Sequence, residues 1–267
     1  MTSSYWMLRK VARIVSAVAF LISCLAGAPN ASETCAAKPQ VSCSPAAGEG
    51  HACGIEDGVF MHGPRSGCQI ALTFDACPTS HVPPFAPDVV DYLEGEKVPV
   101  TFFVSGRWAE ANPQDLRRLE AVPFFEIAFH GYRHPRLIDA PAGTIQAELE
   151  NGKTALQRLG AMPVPLFRPP YGDRPPELAS LARQDGVLPV MGDVGLGDPD
   201  PNRTADVMER DAIRWIQAGS IIVMHVNGRG YATAETVRDL VPALRSRGYE
   251  FVKVSDLVRG CGLEAGR

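Results

Sequence analysis

Two histidines four positions apart are the residues of this chain whose types and spacing most clearly suggest chemistry. His130 and His134 belong to the segment His-Gly-Tyr-Arg-His-Pro, which directly follows the apolar residues 124–129. A helical turn, or a tight loop at the end of a strand, would bring both imidazoles to one point. Because imidazole nitrogen is a common zinc ligand, this spacing predicts a pair of metal ligands.

Other polar residues of catalytic type also follow short apolar runs. Asp75, Arg168, Asp193 and His225 each come after a run that has the length of a strand. A carboxylate can act as a general base, an imidazole can act as a general acid, and a guanidinium can orient a carboxylate and favour its ionised form. Combined with a metal-binding histidine pair, these residue types make a set suited to hydrolysis.

The elements that must position these residues are short strands alternating with helices. Apolar runs occur at 70–74, 98–104, 124–129, 164–167, 187–191, 220–224 and 249–254, and helical stretches include 143–159, 175–184, 204–218 and 232–247. Continuous apolar strands that alternate with helices are typical of a parallel sheet covered by helices.

The polar residues all follow strands, and barrel enzymes build their active sites at the carboxyl ends of several strands. We therefore predict an α/β fold, a distorted, TIM-barrel-like (β/α) barrel of about seven strands. An open doubly wound sheet is the competing architecture, but no glycine-rich phosphate loop follows the first strand.

Composition excludes some classes of partner. The chain has 26 Lys+Arg against 30 Asp+Glu, a formal net charge of −4 and 45% hydrophobic residues. It has no basic cluster with interleaved aromatic residues, so a nucleic-acid partner has no support. No protein partner or oligomeric state follows from the sequence.

The first 31 residues resemble an export signal. Arg9, Lys10 and Arg13 precede an apolar run at 14–25 that is short for a membrane span, and small residues follow it. We predict a signal peptide over 1–31 and an exported, periplasmic or secreted protein. The alternative is a lipoprotein signal that ends before Cys24, which would then carry a lipid anchor.

Cysteine usage agrees with export. Seven cysteines are present, and loss of Cys24 to the signal or to a lipid leaves an even six, most of them before the first convincing strand. In an oxidising compartment this predicts a disulfide-tied, irregular extension over 32–68, with connectivity left open. The even count also predicts that Cys77 forms a disulfide.

From about Gln69 to Val258 the chain resembles the NodB-homology polysaccharide deacetylases, carbohydrate esterase family 4. Five motifs occur in the order of that family: 72–78 (Leu-Thr-Phe-Asp-Ala-Cys-Pro) for T-F-D-D-G-P, 130–135 for H-[ST]-x-x-H-P, 167–172 for R-P-P-Y-G, 191–198 for D-x-x-D-W, and 221–225 for an apolar strand ending in His. The resemblance identifies residues 69–260 as a deacetylase domain.

The resemblance implies metal-dependent hydrolysis of N-acetyl groups on an extracellular or cell-wall glycan. A divalent metal, in the first place zinc, would be bound by His130 and His134. Asp75 would be the base, His225 the acid, and Arg168 would orient Asp75. A backbone N–H near Tyr171 would hold the oxyanion.

Three motifs depart from the family pattern. Ala76 replaces a metal-binding Asp, Gly195 and Pro199 replace the first Asp and the Trp of the fourth motif, and Gly131 replaces a Ser or Thr. Asp193 could substitute for the lost Asp of the fourth motif if its strand is regular.

Three hypotheses for Ala76 stay open. Asp75 or His81 completes the metal site, water fills the position, or the metal is lost and the chain is a non-catalytic, carbohydrate-binding barrel. We favour a hydrolase of carbon–nitrogen bonds other than peptide bonds. An amidase acting on a non-sugar linear amide is a further alternative, because the sequence does not specify the substrate.

Overall fold

The fold is given by a computed structural model that describes residues 52–80 and 84–264. The predicted signal segment 1–31, most of the predicted extension and His81 lie outside these residues. In the described part, no helix combines the length and the apolar character that crossing a membrane requires.

The strands of the described residues form a hairpin and a parallel sheet. They are β1 (Gly54–Glu56), β2 (Val59–His62), β3 (Gln69–Ala76), β4 (Val100–Val104), β5 (Phe125–Phe129), β6 (Leu166–Phe167), β7 (Leu188–Pro189), β8 (Val194–Gly195), β9 (Ile221–His225) and β10 (Glu250–Phe251). The parallel sheet has the order β7-β6-β5-β4-β3-β9-β8, and β10 pairs with the start of β3.

The predicted α/β barrel is confirmed in its distorted form. All seven predicted strands are present, and every residue of β4 and β5 is buried, as expected for strands covered on both faces. Within the described residues no ladder joins the outer strands β7 and β8, so the sheet curls without closing. The two-residue strand β8 was not predicted, because it has too few residues to form a recognisable apolar run.

Eight helices are described around the sheet. They are α1 (Pro87–Gly95), α2 (Gly106–Ala111), α3 (Pro113–Glu120), α4 (Ala142–Arg158), α5 (Leu178–Gln184), α6 (Ala205–Trp215), α7 (Thr233–Arg245) and α8 (Val254–Gly260). The four predicted helices correspond to α4, α5, α6 and α7. The sequence did not indicate the other four, which have at most nine residues and give little helical periodicity.

The predicted irregular extension contains regular structure in its described part. The hairpin of β1 and β2 lies there, and Phe60 of β2 bridges to Val190 beside the sheet. Phe60 is fully buried in a small core cluster with residues of α8. A disulfide between Cys53 and Cys261 ties the start of the hairpin to the end of α8. The hairpin therefore packs as part of the barrel.

The expectation that Cys77 forms a disulfide is wrong. Cys77 follows β3 directly, is 3% exposed and carries a free thiol. Counting cysteines predicts pairing only where the partners can meet, and Cys77 lies at the end of a strand inside the sheet, away from the Cys53–Cys261 bridge.

Residue parity along the strands decides which side chains face the interior of the curled sheet. On β3, Leu72, Phe74 and Ala76 belong to the large core cluster shared with the helices, whereas Ala71 belongs to the smaller cluster within the curled sheet. Because side chains alternate along a strand, Thr73 and Asp75 share the inner face with Ala71.

Candidate active site

A cleft of about 450 Å³ lies at the carboxyl ends of the strands. Its lining includes Asp75, Cys77, His130, His134, Arg168 and His225. Strand register explains why they meet: Asp75 is the direct partner of His225 across β3 and β9, and Phe129, which precedes His130, is paired with Phe167, which precedes Arg168. The predicted site residues therefore lie together.

Asp75 and Arg168 form a buried ion pair at the base of the cleft. Arg168 Nη1 donates to Asp75 Oδ1 at 2.7 Å and to the Thr73 hydroxyl at 2.9 Å. Burial raises the pKa of Asp75, but the charge and the hydrogen bond of the Arg168 guanidinium lower it, so that the net pKa lies below its ordinary value. Asp75 is therefore ionised at neutral pH.

Further contacts hold the guanidinium of Arg168 in place. Nη2 donates to the Met191 carbonyl at 3.0 Å, and the guanidinium carbon lies 3.9 Å from the ring centre of Phe103. The buried Nε has no hydrogen-bond partner among the described residues. The contacts with Asp75, Thr73 and Met191 leave the guanidinium little freedom to rotate.

The two histidines of the second motif present their ring nitrogens to each other. His130 Nδ1 donates to the Arg168 carbonyl at 2.8 Å, so the neutral ring carries its lone pair on Nε2. His134 Nε2 lies 3.1 Å from that atom. Burial lowers the pKa of His130, and burial followed by the neighbouring His130 lowers the pKa of His134 to about 3. Both rings are neutral, as metal ligation requires.

A buried carboxylate that the sequence analysis missed holds the histidine loop. Glu148 of α4 is 5% exposed and accepts hydrogen bonds from the backbone N–H groups of Tyr132, Arg133 and His134 at 2.7 to 3.2 Å. A glutamate in a helix gives no sequence signal for this role, because most such residues face solvent.

The glutamate also explains the glycine in the second motif. Gly131 has a φ of 71°, and a Cβ there would lie 2.7 Å from Glu148 Oε2. One helical turn along α4, a Cβ at Gly152 would lie 2.6 Å from the Gly131 carbonyl oxygen. The position where the family has Ser or Thr is thus filled from α4, and the carboxylate supplies hydrogen bonds to this loop.

His225 on the opposite wall is oriented by Asp198. The Asp198 carboxylate is 1% exposed and accepts from His225 Nδ1 at 3.0 Å, from the His225 N–H at 2.7 Å and from the Thr233 hydroxyl at 2.7 Å. Burial lowers the pKa of His225, but the hydrogen bond and charge of Asp198 outweigh it and raise the net pKa. His225 is therefore biased toward its protonated form.

Asp193 does not take part in this network, so the suggestion that it substitutes in the fourth motif is wrong. Its carboxylate accepts from the Ile221 N–H at 2.8 Å, from Ser220 at 3.0 Å and from Arg65 at 2.7 Å. These groups lie at the start of β9, the end of the strand opposite His225. Asp193 precedes β8 instead of following a strand, which places it at the wrong edge of the sheet.

Tyr171 stands at the rim of the cleft in a 3₁₀ turn, Pro170–Gly172. Its φ of 57° is unusual for a residue with a side chain, and its ring is 53% exposed. The ring packs edge-on against His134 and lies 4.5 Å below the guanidinium of Arg136. The Tyr171 side chain therefore lines the cleft beside His134.

Cys77 lies next to the histidine pair. Its sulfur and the ligand nitrogens of His130 and His134 all lie within 4.8 Å of one another, and Cys77 lines the cleft. Burial, followed by the charge of Asp75, raises the pKa of the free thiol well above its usual range. Ala76, by contrast, is fully buried in the outer core. The two nitrogens and one sulfur form a donor set that fits a metal such as zinc.

The chain is similar in sequence to known polysaccharide deacetylases. A family model described as polysaccharide deacetylase matches residues 62–190. A chitooligosaccharide deacetylase of Sinorhizobium fredii is 31% identical over 204 residues, covering 70% of this chain and 91% of that protein. The chain therefore belongs to the polysaccharide deacetylase family, which confirms the resemblance. Relatives such as this one are named as deacetylases, which are hydrolases of carbon–nitrogen bonds.

Solved structures share the fold. The Bc1960 peptidoglycan N-acetylglucosamine deacetylase superposes with a TM-score of 0.70 at 24% identity, covering 78% of this chain and 94% of that one. BA3943 of Bacillus anthracis, described as a family 4 pseudoenzyme, has a TM-score of 0.68 at 22% identity, covering 76% and 70%. Some curated relatives are longer, and the chain spans only 30% to 38% of their length.

Proposed function

We propose that this chain is a metal-dependent deacetylase that removes N-acetyl groups from an extracellular or cell-wall polysaccharide. One observation carries the proposal: Asp75 and His225 are paired neighbours in the sheet, and their surroundings move their pKa values in opposite directions. An ionised carboxylate and a protonated imidazole on one cleft are a base and an acid ready for the same reaction.

His130 and His134 are the residues that would hold the metal, in the first place zinc. Their neutral rings, and the hydrogen bond that fixes His130 from behind, suit ligation. A bound divalent cation would polarise the acetamide carbonyl and lower the pKa of the attacking water. Glu148 would preserve the geometry of the pair through the loop that it binds.

Proton transfer is then divided between the two walls of the cleft. Asp75 takes a proton from the water as its oxygen bonds to the carbonyl carbon. His225 gives its proton to the nitrogen as the carbon–nitrogen bond breaks, which leaves acetate and a free amine on the sugar. Arg168 keeps Asp75 ionised and oriented. Asp198 orients His225 and stabilises its protonated form.

The Tyr171 turn supplies a candidate for oxyanion stabilisation. Tyr171 lines the cleft with its ring against His134, and we assign the Tyr171 N–H the role of donor to the developing oxyanion. The exposed ring would then contact the sugar.

Such a substrate requires export, and the Cys53–Cys261 disulfide supports an oxidising compartment. The signal peptide over 1–31 and the lipid anchor at Cys24 remain predictions. N-terminal sequencing and mass measurement of the protein recovered from cells would distinguish cleavage near residue 31 from an acylated Cys24.

The function is tested by acetate release. Purified protein supplied with zinc should release acetate from N-acetylated chitooligosaccharides or from peptidoglycan, a chelator should stop release, and zinc should restore it. Asp193→Asn is the control for Asp75→Asn, since it also removes the partner of an arginine but at the opposite edge of the sheet. Failure of zinc-supplied protein on both glycans would contradict the proposal.

A second candidate is a carbohydrate-binding barrel without activity. The alanine at position 76 favours it, and a protein of the same fold is described as a pseudoenzyme. It predicts chitooligosaccharide binding that persists in chelator and in His130→Ala, without acetate. Acetate from small non-sugar amides alone would instead support the amidase alternative.

A further inference from the structure

The family pattern places a metal-binding carboxylate at position 76, where this chain has alanine. We propose that the thiolate of Cys77 is the third protein ligand, so that two histidines and one cysteine hold the cation. This inference rests on the proposed function only in that the site binds a divalent metal.

Strand parity separates the two candidate positions. Ala76 contributes to the outer core between sheet and helices, and it does not line the cleft. Cys77 is one residue further along the chain, shares its parity with Asp75 and lines the cleft. A ligand from β3 therefore reaches the histidine pair from position 77.

The backbone around these two residues is held from both sides. Ser105 donates to the Ala76 carbonyl through its hydroxyl at 2.9 Å and its N–H at 3.1 Å. Asn227 donates to the Cys77 carbonyl at 2.9 Å. The sulfur is thus presented by an ordered backbone and needs no loop movement to reach the cleft.

The separations suit one shared ion. Two nitrogens that each bind zinc at about 2.0–2.1 Å can be at most roughly 4.2 Å apart, and the two Nε2 atoms are 3.1 Å apart. A zinc–sulfur bond of about 2.3 Å raises the corresponding limit for sulfur and nitrogen to roughly 4.4 Å. In a tetrahedral site the sulfur and each nitrogen would lie about 3.6 Å apart. Since all three atoms lie within 4.8 Å of one another, side-chain movement of up to about 1 Å brings them to one ion.

The ligand chemistry preserves the charge of the site. A thiolate contributes one negative charge beside two neutral imidazoles, as a carboxylate at position 76 would. Binding forms the metal–sulfur bond and releases the thiol proton to solvent. Because thiolate is a softer ligand than carboxylate, the site should favour zinc or cobalt over magnesium, calcium or manganese.

Asp75 is the rival third ligand. Its Oδ2 lies 3.7 Å from His130 Nε2, but its Oδ1 is bound by Arg168. An Asp75 that ligated the metal would lose much of its value as a base, whereas Cys77 has no other function in the proposed reaction. The geometry therefore assigns the base to Asp75 and the ligand to Cys77.

Cobalt spectroscopy of the full protein separates the two ligands. Metal-free protein given one equivalent of Co²⁺ should show a near-ultraviolet thiolate-to-cobalt charge-transfer band. Cys77→Ser and Cys77→Ala should lose the band and bind the ion at least about 100-fold more weakly, since loss of an outer-shell partner alone costs about 10–100-fold. Cys77→Asp should regain affinity without the band.

His62→Gln is the control, because His62 lies outside the cleft and should leave the spectrum unchanged. A wild-type protein that binds Co²⁺ without the band, or a Cys77→Ala protein that keeps it, overturns the inference. Acetate release is measured on the same samples. Acetate release without the band refutes the cysteine ligand and supports the proposed deacetylase function. The band without acetate release supports the cysteine ligand and refutes the proposed function.

Discussion

The two sides of the cleft differ in how their polar groups are matched. The proton-transfer side consists of Asp75, Arg168, His225 and Asp198. There the Asp75 carboxylate is bound by Arg168 at 2.7 Å and the Asp198 carboxylate by His225 at 3.0 Å. In the metal side, defined as His130, His134 and Cys77, the ligand atoms face one another. The proton-transfer side therefore depends on fixed pairs, whereas the metal side needs only three donor atoms near one point.

This contrast explains where the family pattern could change. A metal ligand can move by one residue if another side chain reaches the same point, as we propose for Cys77. The proposed base has less freedom to move, because Asp75 is bound to Arg168 and would also have to meet the substrate. Substitutions on each side should therefore affect separate measurements.

The largest expected effect is that of Asp75→Asn. Acetate release should fall by about 10²–10⁴-fold, the usual contribution of a general base, because an amide cannot accept the proton of water. The cobalt charge-transfer band should remain, since the proposal assigns the sulfur ligand to Cys77 and the base to Asp75. If the variant loses both activity and cobalt binding while it keeps its melting temperature, Asp75 also takes part in metal binding. That result would contradict the separation of the proton-transfer side from the metal side.

The next effect is that of Glu148→Gln on metal affinity. Replacing the carboxylate that holds three N–H groups of the histidine loop should weaken zinc binding by about 10–100-fold, the cost typical of outer-shell partners. Glu150→Gln on the same helix is the control, because Glu150 is exposed and its carboxylate accepts a hydrogen bond from Gln146 instead of from the histidine loop. Competition with a chelating dye measures both variants, and equal affinities would show that the loop does not depend on Glu148.

Asp198→Asn should change the pH dependence more than the rate at its optimum. Asp198 raises the pKa of His225, so the variant should have a lower His225 pKa. The alkaline limb of the pH–activity profile should therefore shift to lower pH, while the acid limb stays in place. Asp200→Asn, in the same loop, should leave the profile unchanged. An alkaline limb that does not move would show that His225 is not the acid.

The same pair affects folding stability with a defined sign. A histidine whose pKa is raised by folding stabilises the protein below its unfolded pKa, and this contribution is lost as pH rises through the folded value. Asp198→Asn should therefore lower the melting temperature more at mildly acidic than at alkaline pH. An equal loss at both would assign Asp198 a packing role only.

The smallest effect on the site is expected from removal of the disulfide. The double variant Cys53→Ala, Cys261→Ala should lower the free energy of unfolding by about 2–4 kcal/mol, because the bridge closes a long loop of the unfolded chain. Denaturant unfolding measures the loss. The cobalt spectrum at low temperature should not change, and a lost band would show that this bridge shapes the metal side.

The sequence predicted the convergence of the site because parallel strands deliver their carboxyl ends to one edge. Asp75, His130, His134, Arg168 and His225 could be found in this way. The roles of the remaining residues depend on strand boundaries and parity. Asp198 contacts His225 where the sequence suggested Asp193. The reason is that β8 begins at residue 194, which no apolar run marked.

Glu148 and Cys77 show the other reason for failure. Glu148 acts on a loop 14 to 16 residues away in the chain, through a helix rotation that a single sequence does not specify. The disulfide prediction for Cys77 came from an even count, which carries no information on position. The position of Cys77 in the cleft, with its sulfur within 4.8 Å of a nitrogen of each histidine, becomes visible only in the structure.

X-ray absorption at the zinc edge of the metal-loaded protein shows directly whether the Cys77 sulfur binds the metal. The metal side should give one sulfur scatterer at about 2.3 Å together with nitrogen or oxygen scatterers at about 2.0–2.1 Å. The sulfur shell should disappear in Cys77→Asp while zinc remains bound. A wild-type spectrum with nitrogen and oxygen scatterers alone would contradict the cysteine ligand.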